Sequence, residues 1–191
     1  MIYVISTSAN ITENYESRKQ DYLIGLASVI EHYRINPFII EANRSDYLSE
    51  HFRDSTRYSE NKGVNECILI ELFFQANAGR FHDHDDIIKT TLRYKITSSA
   101  LLDHVKQNTH EIYGKRPVEI YGPGTTLSCG LISMKYRLWR EFYGFFNKNL
   151  GRDDPIENEF DRFARSKNLK LVEQLGITIA PYMHDGKKYE V

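Results

Sequence analysis

Apolar positions in this chain fall alternately into short compact runs and helical stripes. Residues 2–6 (IYVIS) form a compact apolar run that passes into Ser6, Thr7, Ser8, Ala9 and Asn10, which predicts a strand ending in a small polar turn. Tyr22, Leu26, Val29, Ile30 and Tyr33 then recur at helical spacing, the stripe of an amphipathic helix, with Asn10 or Thr12 as its cap. Pro37 and the run 38–40 predict a second strand, and residues 43–63 are polar and irregular. From 64 to 76 the chain is apolar almost all round, the pattern of a buried helix, and Gly79 is its expected end. Residues 87–96 predict a strand, followed by a helix capped by Ser98 or Ser99 that presents Leu101, Leu102 and Val105. Strands over 117–121 and 126–134 are expected to flank the turn Gly122-Pro123-Gly124. An aromatic helix over 136–146, a turn at 151–155, a helix over 156–167 opened by Pro155 and a last strand at 177–180 complete the reading.

Strands alternating with helices predict an α/β architecture, a largely parallel sheet with helices on both faces. A first strand that ends in small polar residues is a common opening of nucleotide-binding α/β domains. At 191 residues the chain suffices for one core and is short for two, so residues 1–191 are expected to form one domain. The net charge of −1 argues against a chain whose main task is to grip nucleic acid. No apolar run approaches the ~20 residues of a membrane helix, and the first run is too short for a signal-peptide core, so the expected location is the cytoplasm. Cys67 and Cys129 each sit in an apolar stretch, which supports neither a disulfide scaffold nor a cysteine zinc site. Thirteen tyrosines are enough to furnish a polar cleft with rings that stack and hydroxyls that hydrogen-bond, although half-buried packing uses tyrosine equally well.

The segment 81–96, FHDHDDIIKTTLRYKI, carries the densest candidate chemistry. His82, Asp83, His84, Asp85 and Asp86 precede a strand bearing Lys89, Arg93 and Lys95. Hard divalent cations prefer carboxylate oxygens and often bridge them to phosphate, so an acidic knot beside a cationic strand suits an enzyme of phosphorylated or nucleotide-linked substrates. Asp83-His84-Asp85 is an Asp-x-Asp pattern, which a solvated loop also produces. His82-x-His84-x-Asp86 also resembles the start of the metallo-β-lactamase metal motif, but Ile87 stands where that family has histidine and a strand follows where it has a helix. A second constellation, residues 59–66, lies directly before the buried helix. It reads as an anion site at a helix N-terminus or as plain capping by Asn61 or Asn65, and capping leaves Lys62 unexplained.

The two segments NKGVNE (61–66) and IIKTTLRYKI (87–96) together resemble small GT-A-type glycosyltransferases of bacterial surface-polysaccharide clusters and of large algal DNA viruses. In that family an Asn-Lys-Gly-x-x-Glu element precedes a helix, and a strand reads roughly Ile-x-Lys-x-Thr/Ser-Gly-Arg-Tyr. Residues 155–160 (PIENEF) and Leu175-Gly176-Ile177 are similar to its late acidic helix and following strand, so the resemblance runs to about residue 181. Leu92 departs from it, standing where the family has glycine. The resemblance implies a single-domain GT-A-like, Rossmann-type fold with a mixed, mainly parallel sheet. It also implies transfer of a sugar from a UDP- or GDP-type donor to a glycan, glycoconjugate or other hydroxyl acceptor, assisted by Mn²⁺ or Mg²⁺. On that reading Asp83, Asp85, Asp86 and His184 hold the metal, and Asn61, Lys62, Lys89, Arg93 and Tyr94 bind the donor. Thr7, Ser8 and Arg18 cradle base and ribose. Arg93 stabilises the leaving group, and Glu157, or after it Glu159, is the base of an inverting reaction; a retaining one needs none. A non-catalytic nucleotide-sugar-binding module is the alternative, and the chain is small enough for such an enzyme to be one module of a longer polypeptide.

Overall fold

Alternation along the first strand sets the layers of the molecule. In a computed structural model that describes residues 1–8, 15–42, 51–179, 189 and 190, β1 (Ile2–Ser8) turns Val4 into one core and Ile5 into another, both fully buried. β1 pairs in parallel with β2 (Phe38–Glu41) and, on its other side, with β4 (Asp86–Thr91). β3 (Phe52–Arg53) extends the sheet beyond β2. Beyond β4 lie β7 (Leu131–Lys135), β6 (Ile112–Gly114) and β8 (Leu169–Leu171), which gives the order β3-β2-β1-β4-β7-β6-β8. β7 runs antiparallel to both its neighbours, and the other pairings are parallel.

Helices cover both faces, as the pattern predicts. α2 (Lys62–Ala76), α5 (Tyr136–Phe145) and α6 (Ile156–Arg165) pack Phe73, Trp139, Phe142 and Phe160 on the face that carries Ile5 and Ile87. α1 (Tyr15–Tyr33) and α3 (Ala100–Gln107) pack Val29, Leu101 and Val105 on the face that carries Val4 and Ile88. Each such side chain contributes roughly 1.5–3 kcal/mol by leaving water, which is why the apolar stripes decide the layering. No helix among the described residues is long and apolar enough to cross a membrane.

The differences from expectation are local. The strand expected over 87–96 stops at Thr91; residues 92–94 turn the chain, and β5 (Lys95–Ile96) joins a separate antiparallel sheet with β9 (Ile177–Ile179) and β10 (Tyr189–Glu190). The strand expected over 117–121 is a one-turn helix, α4 (Val118–Tyr121), because Pro117 accepts back-bonds from Ile120 and Tyr121. α2 ends before Gly79, with Asn77 at its C-cap. β3, β6 and β8 span two or three residues each, too short for a periodic signal. The caps proposed at Asn10 and Thr12 lie outside the described residues.

Candidate functional site

The sheet changes winding direction between β1 and β4, and ligands of open α/β sheets bind beyond the carboxyl ends of the strands at such a point. Here β1 ends in Thr7-Ser8 and β4 in Thr90-Thr91, with Thr7 and Thr91 directly paired in register. A cleft of about 420 Å³ opens there, within the range of small-molecule sites. Its walls include Thr7, Lys62, Glu66, Arg93, Tyr94 and Glu157.

The NKGVNE segment divides its labour residue by residue. Asn61 caps α2, its Oδ1 accepting the Val64 N–H at 3.0 Å, while its Nδ2 donates to the carbonyls of Gly151 (2.7 Å) and Asp154 (2.8 Å). All its polar atoms are thus used to tie the 151–155 turn to the helix start. Gly63 lets α6 approach, since a Cβ there would lie 2.5 Å from the Ile156 side chain. Asn65 pins the preceding loop, accepting from the N–H groups of Tyr58 and Ser59. Lys62 and Glu66 are left to face the cleft.

Glu66 has a defined seat. Thr7 Oγ1 donates to its Oε1, and Lys89 Nζ lies 3.0 Å from its Oε2. Lys89 is fully buried beneath the cleft and also donates to Thr91 Oγ1 (3.1 Å) and to the Cys129 carbonyl. Burial by itself would lower the Lys89 pKa, but the Glu66 carboxylate beside it more than offsets that and holds it above the usual lysine range. Glu157 accepts a hydrogen bond from the Cys129 thiol at 2.7 Å, and burial together with the Glu157 charge pushes that thiol well above its ordinary pKa. Burial pushes the Tyr94 hydroxyl up to about 12, and its ring lies flush on Gly130, where a Cβ would come 1.7 Å from a ring carbon. Leu92, the departure from the family pattern, is turned away from the cleft and buried with Tyr22 and Ile39.

The acidic knot lies elsewhere. Asp83, Asp85 and Asp86 sit at the amino end of β4, one strand length from the cleft, where Phe81 anchors them by packing on Tyr3, Phe38 and Phe74. Asp85 pairs with the amino group of Met1 at 2.6 Å and accepts the His82 N–H; Asp86 pairs with Lys135 at 2.8 Å; Asp83 pairs with Arg140. Each carboxylate is committed to a cation, and no cluster of three metal-ligating side chains occurs among the described residues. β4 begins at Asp86 itself, so the helix required by a metallo-β-lactamase motif is not there either. Glu159 is also away from the cleft, accepting from the Asn147 N–H and from Arg162. Ser8 ends β1 and Arg18 lies on α1, but their side chains are outside the described set, as is the whole of His184.

Of the residues singled out in the sequence, the fold therefore gathers Thr7, Asn61, Lys62, Arg93, Tyr94 and Glu157 at the cleft, with Lys89 under its floor. Sequence reasoning assigned no role to Glu66, although it closes the NKGVNE motif, nor to Cys129, Arg57 and Arg152.

The architecture has solved counterparts. The catalytic domain of Drosophila β1,4-galactosyltransferase 7 in complex with xylobiose matches with a TM-score of 0.53 over 89% of this chain and 64% of that one, at 15% identity. A mutant of the same enzyme in complex with manganese, UDP-Gal and xylobiose matches with a TM-score of 0.54 at 14% identity, over 90% and 63% of the two chains. This chain thus spans under two thirds of the galactosyltransferase chains it matches. A glycosyltransferase involved in glycosylation of the major capsid of PBCV-1 matches at 0.50 and 8% identity, over 90% of this chain and 80% of that one. The 4-diphosphocytidyl-2C-methyl-D-erythritol synthase of Anaerococcus prevotii also matches at 0.50, with 12% identity, over 90% and 88%. No family model and no curated protein sequence matches the chain. The chain has the GT-A-like, Rossmann-type fold, and at these identities its chemistry must be argued from its own cleft.

Proposed function

We propose that this chain is a glycosyltransferase that moves a sugar from a UDP- or GDP-type nucleotide sugar to a hydroxyl of a glycan or glycoconjugate. The observation that carries this reading is one cleft, at the switch point of a GT-A-like sheet, whose lining combines cations without an ion pair among the described residues (Lys62, Arg93) with the carboxylate of Glu157. The diphosphate of the donor lies by Lys62 and Arg93, whose charges stabilise the leaving group. Glu157 takes the proton of the acceptor hydroxyl. The acceptor oxygen attacks the anomeric carbon as the bond from that carbon to the diphosphate breaks, and the nucleoside diphosphate departs with the electron pair. The Cys129 thiol holds one oxygen of Glu157 and leaves the other to receive the proton. Glu66, held by Thr7 and Lys89, faces the same space as an acceptor for donor or acceptor hydroxyls.

The test is incubation with a panel of UDP- and GDP-sugars and simple glycan acceptors, with nucleoside diphosphate release as readout. Turnover with at least one donor is expected. In Glu157→Gln, turnover should fall about 10²–10⁴-fold with donor binding retained. Donor binding with no release across the panel favours the non-catalytic module instead.

A further inference from the structure

A divalent cation between carboxylates and diphosphate would be the first expectation for this fold, and the manganese complex among its structural counterparts sharpens it. The described residues of this cleft do not fit one. Such a cation needs free carboxylate oxygens gathered at short range. At the carboxyl end of β4 stand Thr91, Leu92 and Arg93, and beneath them the Lys89 ammonium, 3.0 Å from Glu66. A second cation beside Glu66 would be repelled by the one already seated there. Of the remaining carboxylates only Asp153, exposed at the rim, makes no ion pair or hydrogen bond among the described residues. Glu60 pairs with Arg57, Asp154 accepts the Gly151 N–H, and Glu157 accepts the Cys129 thiol. Lys62, Arg93 and Arg152 line the same cleft, and none of the three makes an ion pair among the described residues. The Nε of Arg93 is buried and has no hydrogen-bond partner among the described residues. Among the described residues the cleft thus gathers three cations without an ion pair, while its acids are each held by a separate partner or, for Asp153, stand alone, which is not a metal cradle.

We infer that this chain binds the diphosphate of its nucleotide directly through Arg93, Lys62 and Arg152, with the fixed charge of Lys89 beneath, and uses no divalent cation for that purpose. Arg93 offers a planar fork suited to phosphate oxygens, and Lys62 adds a point charge at the start of α2. The inference rests on the glycosyltransferase reading for its ligand, a nucleoside diphosphate.

The test is calorimetric titration of UDP and of GDP into the intact chain, first with EDTA and then with excess Mn²⁺ or Mg²⁺. One nucleotide is expected to bind in EDTA, with a Kd that metal changes by less than about threefold. Lys62→Ala and Arg152→Ala remove exposed side chains and leave a folded protein; each should weaken binding about three- to tenfold. Arg93→Ala should weaken it tenfold or more, and Arg93→Lys should recover only part of that loss, which separates lost recognition from lost folding. Binding that requires metal, or improves with it by tenfold or more, overturns the inference and leaves the glycosyltransferase reading standing. No binding of either nucleotide under any condition overturns both.

Discussion

Lys89 stays charged in full burial because its three N–H donors find three acceptors: Glu66, the Thr91 hydroxyl and the Cys129 carbonyl. Removing one member of such a pair leaves the other charge uncompensated. Lys89→Met should therefore lower unfolding stability by about 3 kcal/mol, while Lys89→Met with Glu66→Gln recovers much of it. Urea denaturation of the four proteins reads this directly, and strictly additive losses would refute the coupling. Cys129 presents a second residue-scale consequence. Although it lines the cleft, its raised pKa leaves little thiolate, so iodoacetamide near pH 8 should label it far more slowly than a free thiol. Glu157→Gln removes a charge that raises that pKa, and labelling should accelerate. Mass spectrometry of the 129 peptide gives the rate, and equal rates in both proteins would break the link between thiol and carboxylate.

Two elements meet at the cleft only because their ends are fitted to each other. The start of α2 and the turn before α6 are joined by Asn61 and by the bare Cα of Gly63, and this brings Lys62 to the same cavity as Glu157. Asn61→Ala removes a cap and leaves two loop carbonyls without their donor, a loss of about 2–3 kcal/mol. Asn61→Asp keeps the cap acceptor but turns a carboxylate toward those carbonyls, so it should not restore stability; a melting temperature equal to the parent's would contradict this account. The placing of Tyr94 at the cleft depends on Gly130, because any side chain there enters the Tyr94 ring. The legible part of these elements was their type. α1 follows from its apolar stripe and α2 from an apolar run of helical length, whereas β3, β6 and β8 are too short to carry a pattern and exist through their neighbours in the sheet.

At the scale of the whole molecule, the two ends of β4 do different work. Its amino end binds the chain together through Asp85 and Asp86, and its carboxyl end faces the cleft. Asp86→Asn should lower the melting temperature and leave nucleoside diphosphate binding unchanged; loss of that binding in a folded variant would return the acidic knot to the site. For Asp85, burial opposes ionisation, but the Met1 amine and the His82 N–H outweigh it and lower the pKa. A lowered carboxylate pKa stabilises above its unfolded value, and that contribution is lost as pH falls through the folded one. Melting curves between about pH 7 and about pH 2 should therefore show Asp85→Asn destabilised at the higher pH, with the gap to the parent shrinking as the pH falls. By itself, the sequence determined the alternation of strands and helices, because periodicity is local, and its family resemblance pointed to Lys62, Arg93 and Glu157 as candidate site residues. Only the tertiary structure decided that the HDHDD knot lies far from the cleft, that Lys89 serves Glu66, and that Asn61 is a pin. Those roles depend on which end of a strand a residue occupies and what packs there from distant parts of the chain, and neighbours in sequence carry no record of either.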